Sequence, residues 1–339
     1  MRIEHQVVSL SWIPSEAIGG MMKLPFEFGF THYDDPPPDR LDDLEALQAA
    51  DRFRFANQLR AWVDVDAAGT IVDAGYSGGV LMGSTTVLPG RSGSRTFQAF
   101  AMPVLRSEPV IGEGWVRFLQ TAGGRTGLPA PRRVRRAPFV QWKAPLVWST
   151  LAMTLHADGR CEFEVAGASP FPRHWVYGSD AALAAKTGLT DFKDWYRKAF
   201  GRHSPWGDED SPALVTAAET ALERQLSTEI MRGGEKPSIQ SVKAGATILR
   251  EGDEGTELYL VLDGVVRVEK EGEALVELGP GAVVGERALL EGGRRTSTLV
   301  AVTRCRLAVA RADQIERSAL VELAGGHRRE EHPAPAGTR

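Results

Sequence analysis

The sequence predicts an α+β chain that is mostly β. Its expected parts are a β-rich N-terminal domain of barrel or sandwich type with helices, and a smaller C-terminal β-roll of jelly-roll kind. Three observations predict this. From Arg60 to Val165, apolar and polar residues alternate in short runs separated by turn residues. From Ile239 to Ala310, an aliphatic stretch is cut by Gly245, Gly252, Gly255, Gly264, Gly272, Gly279, Gly281 and Gly285, at intervals that suit strand turns. All eight tryptophans lie before residue 210, so the two parts have separate cores, one aromatic and one aliphatic.

Taken in order, residues 1–40 read as irregular with short strands, and Asp34-Asp35-Pro36-Pro37-Pro38-Asp39 continues neither a helix nor a central strand. A helix is expected from about Leu41 to Leu59, with Leu44, Leu47 and Phe55 on its apolar side. Strands follow at Ala61–Val65, Thr70–Ala74, Thr96–Pro103, Trp115–Gln120, Leu146–Leu155 and Cys161–Val165. Asp158-Gly159 marks a tight hairpin before the last of these. Phe192, Trp195, Tyr196 and Ala199 share one helical face. Ser211 and Pro212 suit the start of a second helix that runs through Leu222, Leu226 and Ile230 to Met231. The expected boundaries are 1–231 for the first domain, 232–238 for a linker, 239–323 for the second domain and 324–339 for a disordered tail.

Composition narrows the classes. A chain of 339 residues suits about two domains. A net charge of −4 gives no general attraction for nucleic acid or anionic membrane. Cys161 and Cys305 are too few and too far apart for a disulfide framework. No apolar run is long enough to span a bilayer, and no signal peptide is evident, so a cytoplasmic protein is expected.

The most specific stretch is Gly285-Glu286-Arg287-Ala288-Leu289-Leu290, followed by Arg295-Thr296-Ser297-Thr298. A carboxylate opening a short helix can accept hydrogen bonds from sugar hydroxyls. The first N–H groups of that helix favour an anion. An arginine nine residues later offers a planar cationic fork to phosphate oxygens. Side chains alternate along an extended strand, so Arg294 and Arg295 do not both point inward. Leu289 and Leu290 read as core, and Arg287 as solvent-facing.

This stretch resembles the phosphate-binding cassette of the cyclic nucleotide-binding domain family. Upstream, Gly245-Ala246-Thr247-Ile248-Leu249-Arg250-Glu251-Gly252-Asp253-Glu254-Gly255 is similar to the family's turn, and Leu258–Val268 to its hairpin. The resemblance covers about residues 236–315. It implies a ribose contact for Glu286, phosphate pairing for Arg295, close backbone approach at Gly285 and Ala288, and hydroxyl contacts from Thr296 and Ser297. The implied ligand is cAMP or cGMP, with cAMP favoured by its frequency in the family. Val284 stands where the family often has Phe, and the helix expected over Asp313–Leu323, ended by Gly325-Gly326, is short for a lid.

The N-terminal region shows no catalytic motif and no metal-ligand spacing. His174, His203 and the acids Asp208, Glu209 and Asp210 are its nearest approach to a catalytic or metal cluster. Thr121–Gly127 lacks a P-loop ending and reads as a plain loop. Arg132-Arg133-Val134-Arg135-Arg136 reads as a solvated basic loop. Cys161 reads as half-buried rather than reactive. The expectation is a sensor whose nucleotide-binding C-terminal domain modulates an N-terminal effector domain. A nucleotide-regulated enzyme and an assembly protein with a degenerate roll stand as alternatives. A homo-oligomer or a protein partner is left open, and neither DNA nor membrane is an expected partner.

Overall fold

The computed structural model describes residues 1–90, 93–137, 139–198, 204–206, 215–232, 236–311, 315 and 317–331. The chain divides into two compact units, Met1–Leu214 and Val215–Arg339.

The first unit is built on two antiparallel sheets. One runs in the order Leu183–Thr187, Arg173–Tyr177, Arg2–Trp12, Phe55–Val65, Ile71–Met82. The other runs Cys161–Ala168, Leu146–His156, Trp115–Arg125, with short strands completing its edge. Val7, Leu59 and Val63 from the first sheet meet Phe118, Leu151 and Met153 from the second in one buried cluster. Burial of this kind, at about 25 cal/mol per Å² of apolar surface, is the main force holding two sheets face to face. A polar layer also lies between the sheets. Asn57 Nδ2 donates to the Ser149 carbonyl at 2.9 Å, and Gln120 Nε2 donates to Asn57 Oδ1 at 2.9 Å. Those buried amides are paired, so they do not carry the cost of an unmet polar group.

Several expectations change here. Arg2–Trp12 is a long inner strand, not irregular chain: residues 7–14 are all buried, so no alternation signals it. The helix expected over 41–59 is only Leu44–Ala49, capped by Asp43 accepting from the Ala46 N–H at 2.8 Å. Asp51 at φ 52° turns the chain, and Phe55–Val65 is sheet. Thr121–Gly127 is no loop over most of its length, since the strand Trp115–Arg125 includes it to Arg125. Gly123 allows close strand packing there, because a Cβ on it would lie 2.2 Å from the Val147 carbonyl oxygen. The Asp158-Gly159 hairpin forms as expected, with the His156 N–H bonded to the Arg160 carbonyl at 3.0 Å.

The second unit holds two four-stranded antiparallel sheets that form a β-roll. Their orders are Ser238–Val242, Cys305–Arg311, Glu257–Asp263, Val283–Val284, and Thr247–Leu249, Thr298–Ala301, Val266–Lys270, Glu273–Leu278. The connecting helix, Ala221–Arg232, belongs to this unit rather than to the first domain. Its Leu226 and Ile230 are buried against Leu258 and Leu260 of the roll. It begins later than expected because Thr220 and Glu223 form a reciprocal cap. Glu223 Oε2 accepts from the Thr220 N–H at 2.8 Å, and Thr220 Oγ1 from the Glu223 N–H at 3.2 Å. Val215–Ala217, ahead of it, is a short strand, while Ser211 and Pro212 fall outside the described residues.

The C-terminal helix runs from Arg317 to Glu331, straight through Gly325 and Gly326. Each glycine costs about 1 kcal/mol relative to alanine. The buried stripe of Leu320, Leu323 and Ala324 outweighs that cost. Residues 324–331, expected in the tail, are therefore helical, and 332–339 fall outside the described residues.

Candidate functional site

The turn Gly252–Gly255 clamps the chain just before the strand Thr298–Ala301. The Arg295 N–H donates to the Asp253 carbonyl at 2.8 Å, and the Gly252 N–H donates back to the Arg295 carbonyl at 2.8 Å. This register, with Glu254 paired to Arg294, decides which arginine faces in. Arg294 is outward, its side chain 70% exposed. Arg295 is inward and only 5% exposed. Gly255 makes room for its guanidinium, since a Cβ there would lie 2.2 Å from Arg295 Nε.

Arg295 is held from three sides. Its Nη1 donates to the Glu257 carbonyl at 2.9 Å and to the Gly285 carbonyl at 3.3 Å, and its Nη2 pairs with Glu257 Oε2 at 3.0 Å. The Tyr259 ring centroid lies 5.6 Å from its guanidinium carbon. A planar cation fixed this way is preorganised to offer its remaining N–H groups to an anion.

The cassette helix, Glu286–Leu290, starts at Gly285, whose φ of 100° is open to glycine and strained for other residues. The Glu286 side chain enters the interior, 3% exposed. Leu289 and Leu290 pack on the same apolar cluster as the connecting and C-terminal helices. A Gly285→Ala change is expected to lower stability by about 1–3 kcal/mol. Its Cβ would meet Arg295 Nη1 at 2.9 Å and the Glu257 carbonyl at 3.0 Å. Urea unfolding of the variant checks this, and an unchanged midpoint would show that the backbone absorbs the methyl group.

Gly285, Glu286, Ala288, Arg295, Thr296 and Ser297 all line one cavity. Its other walls are mainly aliphatic, with Leu249, Val268, Val276, Leu278 and Leu299 drawn from a single sheet. Polar groups thus converge at one end of an apolar slot, the usual form of a small-molecule site. Two contributors were not anticipated. Arg287, expected to face solvent, is half-buried and lines the cavity, because the helix begins at Glu286 and turns the next residue along the wall. Glu257, the ion-pair partner of Arg295, lies 38 residues away in sequence, and no spacing rule marks it.

Among the described residues no catalytic cluster gathers around His174. That imidazole is 0% exposed. Its Nε2 donates to the Ser169 carbonyl at 2.9 Å, and its Nδ1 accepts from the Ser11 hydroxyl at 2.5 Å. Burial pulls its pKa down to about 4, so it is a neutral core group. His203, Asp208, Glu209 and Asp210 fall outside the described residues. Among the described residues no group of three or more His, Cys, Asp or Glu is placed to hold a metal. Desolvation pushes the half-buried Cys161 thiol up to about 11, which keeps it protonated and unreactive at neutral pH.

A second polar cluster was not anticipated. His32 Nε2 lies 3.4 Å from Asp34 Oδ1 and 3.3 Å from Asp51 Oδ2, and Asp34 also pairs with the buried Arg54 at 3.0 Å. The hydrogen bond to Asp34 raises the His32 pKa. Its contribution to stability is therefore full at acid pH and is lost as pH rises through that raised value.

Part of the second unit is similar to known proteins. Residues 239–319 match the family described as the cyclic nucleotide-binding domain, and the C-terminal unit contains such a domain. A cGMP-dependent protein kinase of Drosophila melanogaster is 43% identical over 60 residues, covering 18% of this chain and 6% of the kinase. A cyclic nucleotide-gated potassium channel of Mesorhizobium japonicum is 44% identical over 64 residues, covering 19% of this chain and 18% of the channel. The chain thus spans less than a fifth of the length of either relative. The crystal structure of a cyclic nucleotide-binding domain from Methylobacillus flagellatus aligns over 30% of this chain and 68% of that one, with 25% identity and a TM-score of 0.26.

Proposed function

We propose that the protein is a cytoplasmic cyclic nucleotide sensor whose C-terminal unit binds cAMP in preference to cGMP. The observation that carries this reading is the convergence of the buried Arg295 and Glu286 on one cavity lined by all six residues singled out from sequence. In this reading Arg295 pairs with the cyclic phosphate, Glu286 accepts from a ribose hydroxyl, and the Ala288 N–H and the hydroxyls of Thr296 and Ser297 complete the polar end. The aliphatic walls take the base. They favour adenine because guanine brings more polar groups that need partners on burial. No helix among the described residues is long and apolar enough to cross a membrane.

The response we propose is a population shift. The connecting helix, the cassette helix and the C-terminal helix share one apolar cluster through Leu226, Leu290 and Leu320. A ligand that moves the cassette helix must repack the other two. Coupling of about 1–3 kcal/mol between the ligand and an effector region is typical of such switches. The N-terminal unit is the effector region in this reading.

A thermal-shift assay on the intact chain tests the ligand. At a hundredfold excess over Kd, the favoured nucleotide should add about 3 kcal/mol to the stability of the binding unit. An unchanged Tm with both nucleotides would remove the sensor reading and favour a degenerate roll used in assembly.

A further inference from the structure

The strands Ala130–Arg133 and Val140–Lys143 form a two-stranded sheet of their own, with Ala130 opposite Lys143 and Arg133 opposite Val140. The basic segment expected as a loop is thus one arm and the tip of a β-hairpin. All four residues of Val140–Lys143 are exposed, so both faces of that strand meet solvent.

Two features of the hairpin are independent of each other. The first is charge. Residues 130–143 contain Arg132, Arg133, Arg135, Arg136 and Lys143 and no acid. Setting these five aside from the chain's 40 cations leaves 35 cations against 44 acids elsewhere. The second is apolar exposure at the tip and along the returning strand. Phe139 is 62% exposed and Trp142 42%, with Val140 between them also exposed. Phe139 has φ 62°, a region that bulky side chains rarely adopt. The turn holds it there: the Phe139 N–H donates to the Arg136 carbonyl at 2.9 Å, and the Val134 N–H donates to the Phe139 carbonyl at 2.9 Å. Exposed aromatic area on a strained backbone gives the isolated protein no packing in return.

We propose that this hairpin docks the protein onto anionic lipid surfaces. Arg135, Arg136 and Lys143 meet the headgroups, and Phe139 and Trp142 enter the interfacial layer. Cations are drawn to such a surface, and aromatic rings settle at its boundary. A long polyanion such as single-stranded nucleic acid fits less well. It would have to track across a protein that is net acidic outside the hairpin. A bilayer needs to touch the hairpin alone. The proposal is independent of nucleotide binding at the other unit.

The test is sedimentation of the full chain with vesicles of phosphatidylcholine alone and of phosphatidylcholine mixed with phosphatidylglycerol. Binding to the mixed vesicles only is expected, weaker by more than about tenfold in R135E/R136E. F139S/W142S should lose the part of the binding that survives raised salt. All four positions are exposed, and matching unfolding curves would confirm that both variants fold. In the wild type, brominated acyl chains should quench Trp142, read as the difference from W142F. Equal binding to neutral vesicles, no binding to mixed ones, or undiminished binding by both double variants would overturn the proposal. So would displacement from the vesicles by a single-stranded oligonucleotide.

Discussion

Arg295→Ala is expected to lower cyclic nucleotide affinity about a hundredfold or more, while Arg294→Ala leaves it within about twofold of wild type. The two arginines are adjacent and chemically identical, so the contrast isolates geometry. Arg295 is buried and fixed by the Glu257 and Gly285 carbonyls and the Glu257 carboxylate. Arg294 is exposed and bonded to the Gly252 carbonyl at 3.1 Å. Hydrogen bonds to charged groups contribute about 1.5–3 kcal/mol each, and truncating one side of a buried pair leaves the other unmet. Arg295→Lys is expected to recover only part of the loss, since an ammonium cannot reproduce the planar fork. Competition binding with a labelled nucleotide measures all three variants. Equal losses for Arg294→Ala and Arg295→Ala would mean that the pair acts only through general charge.

The second large effect is acid sensitivity of the N-terminal unit through His174. In the folded protein its pKa is about 4, against an ordinary value of 6.5. Between those values the unfolded chain binds a proton that the folded chain refuses. Stability therefore rises with pH across the window and is lost as pH falls from 6.5 towards 4, by about 3 kcal/mol for this group. Urea unfolding followed by tryptophan fluorescence reads this directly, because all eight tryptophans belong to the first unit. His174→Gln should be less stable at neutral pH and should lack the slope in that window. A wild-type midpoint that does not move between pH 7 and pH 5 would contradict a buried neutral imidazole.

The parts of the molecule legible in sequence are those with local chemistry. Gly285, Glu286, Ala288, Arg295, Thr296 and Ser297 could be singled out because they fall within thirteen residues at a set spacing, and all six line one cavity in the structure. The Asp158-Gly159 hairpin was legible because its turn conformation needs those residue types.

What was illegible depended on distant partners. Arg2–Trp12 has sheet neighbours on both sides and is covered on both faces along much of its length, so its pattern carries no period. Glu257 becomes a site residue only when the 252–255 turn brings its strand beside Arg295. The C-terminal helix passes two glycines because packing on the roll outweighs propensity, which local reading cannot weigh. The start of the connecting helix was within reach: Thr220 and Glu223 are a capping box in plain sequence, masked by the more familiar Ser211-Pro212 pair.

The measurement that bears most directly on the account is calorimetric titration of the purified chain with cAMP and with cGMP, run beside Arg295→Ala. Saturable one-to-one binding is expected, tighter for cAMP and lost in the variant. No heat from either nucleotide with a folded wild type, or unchanged binding in Arg295→Ala, would contradict it.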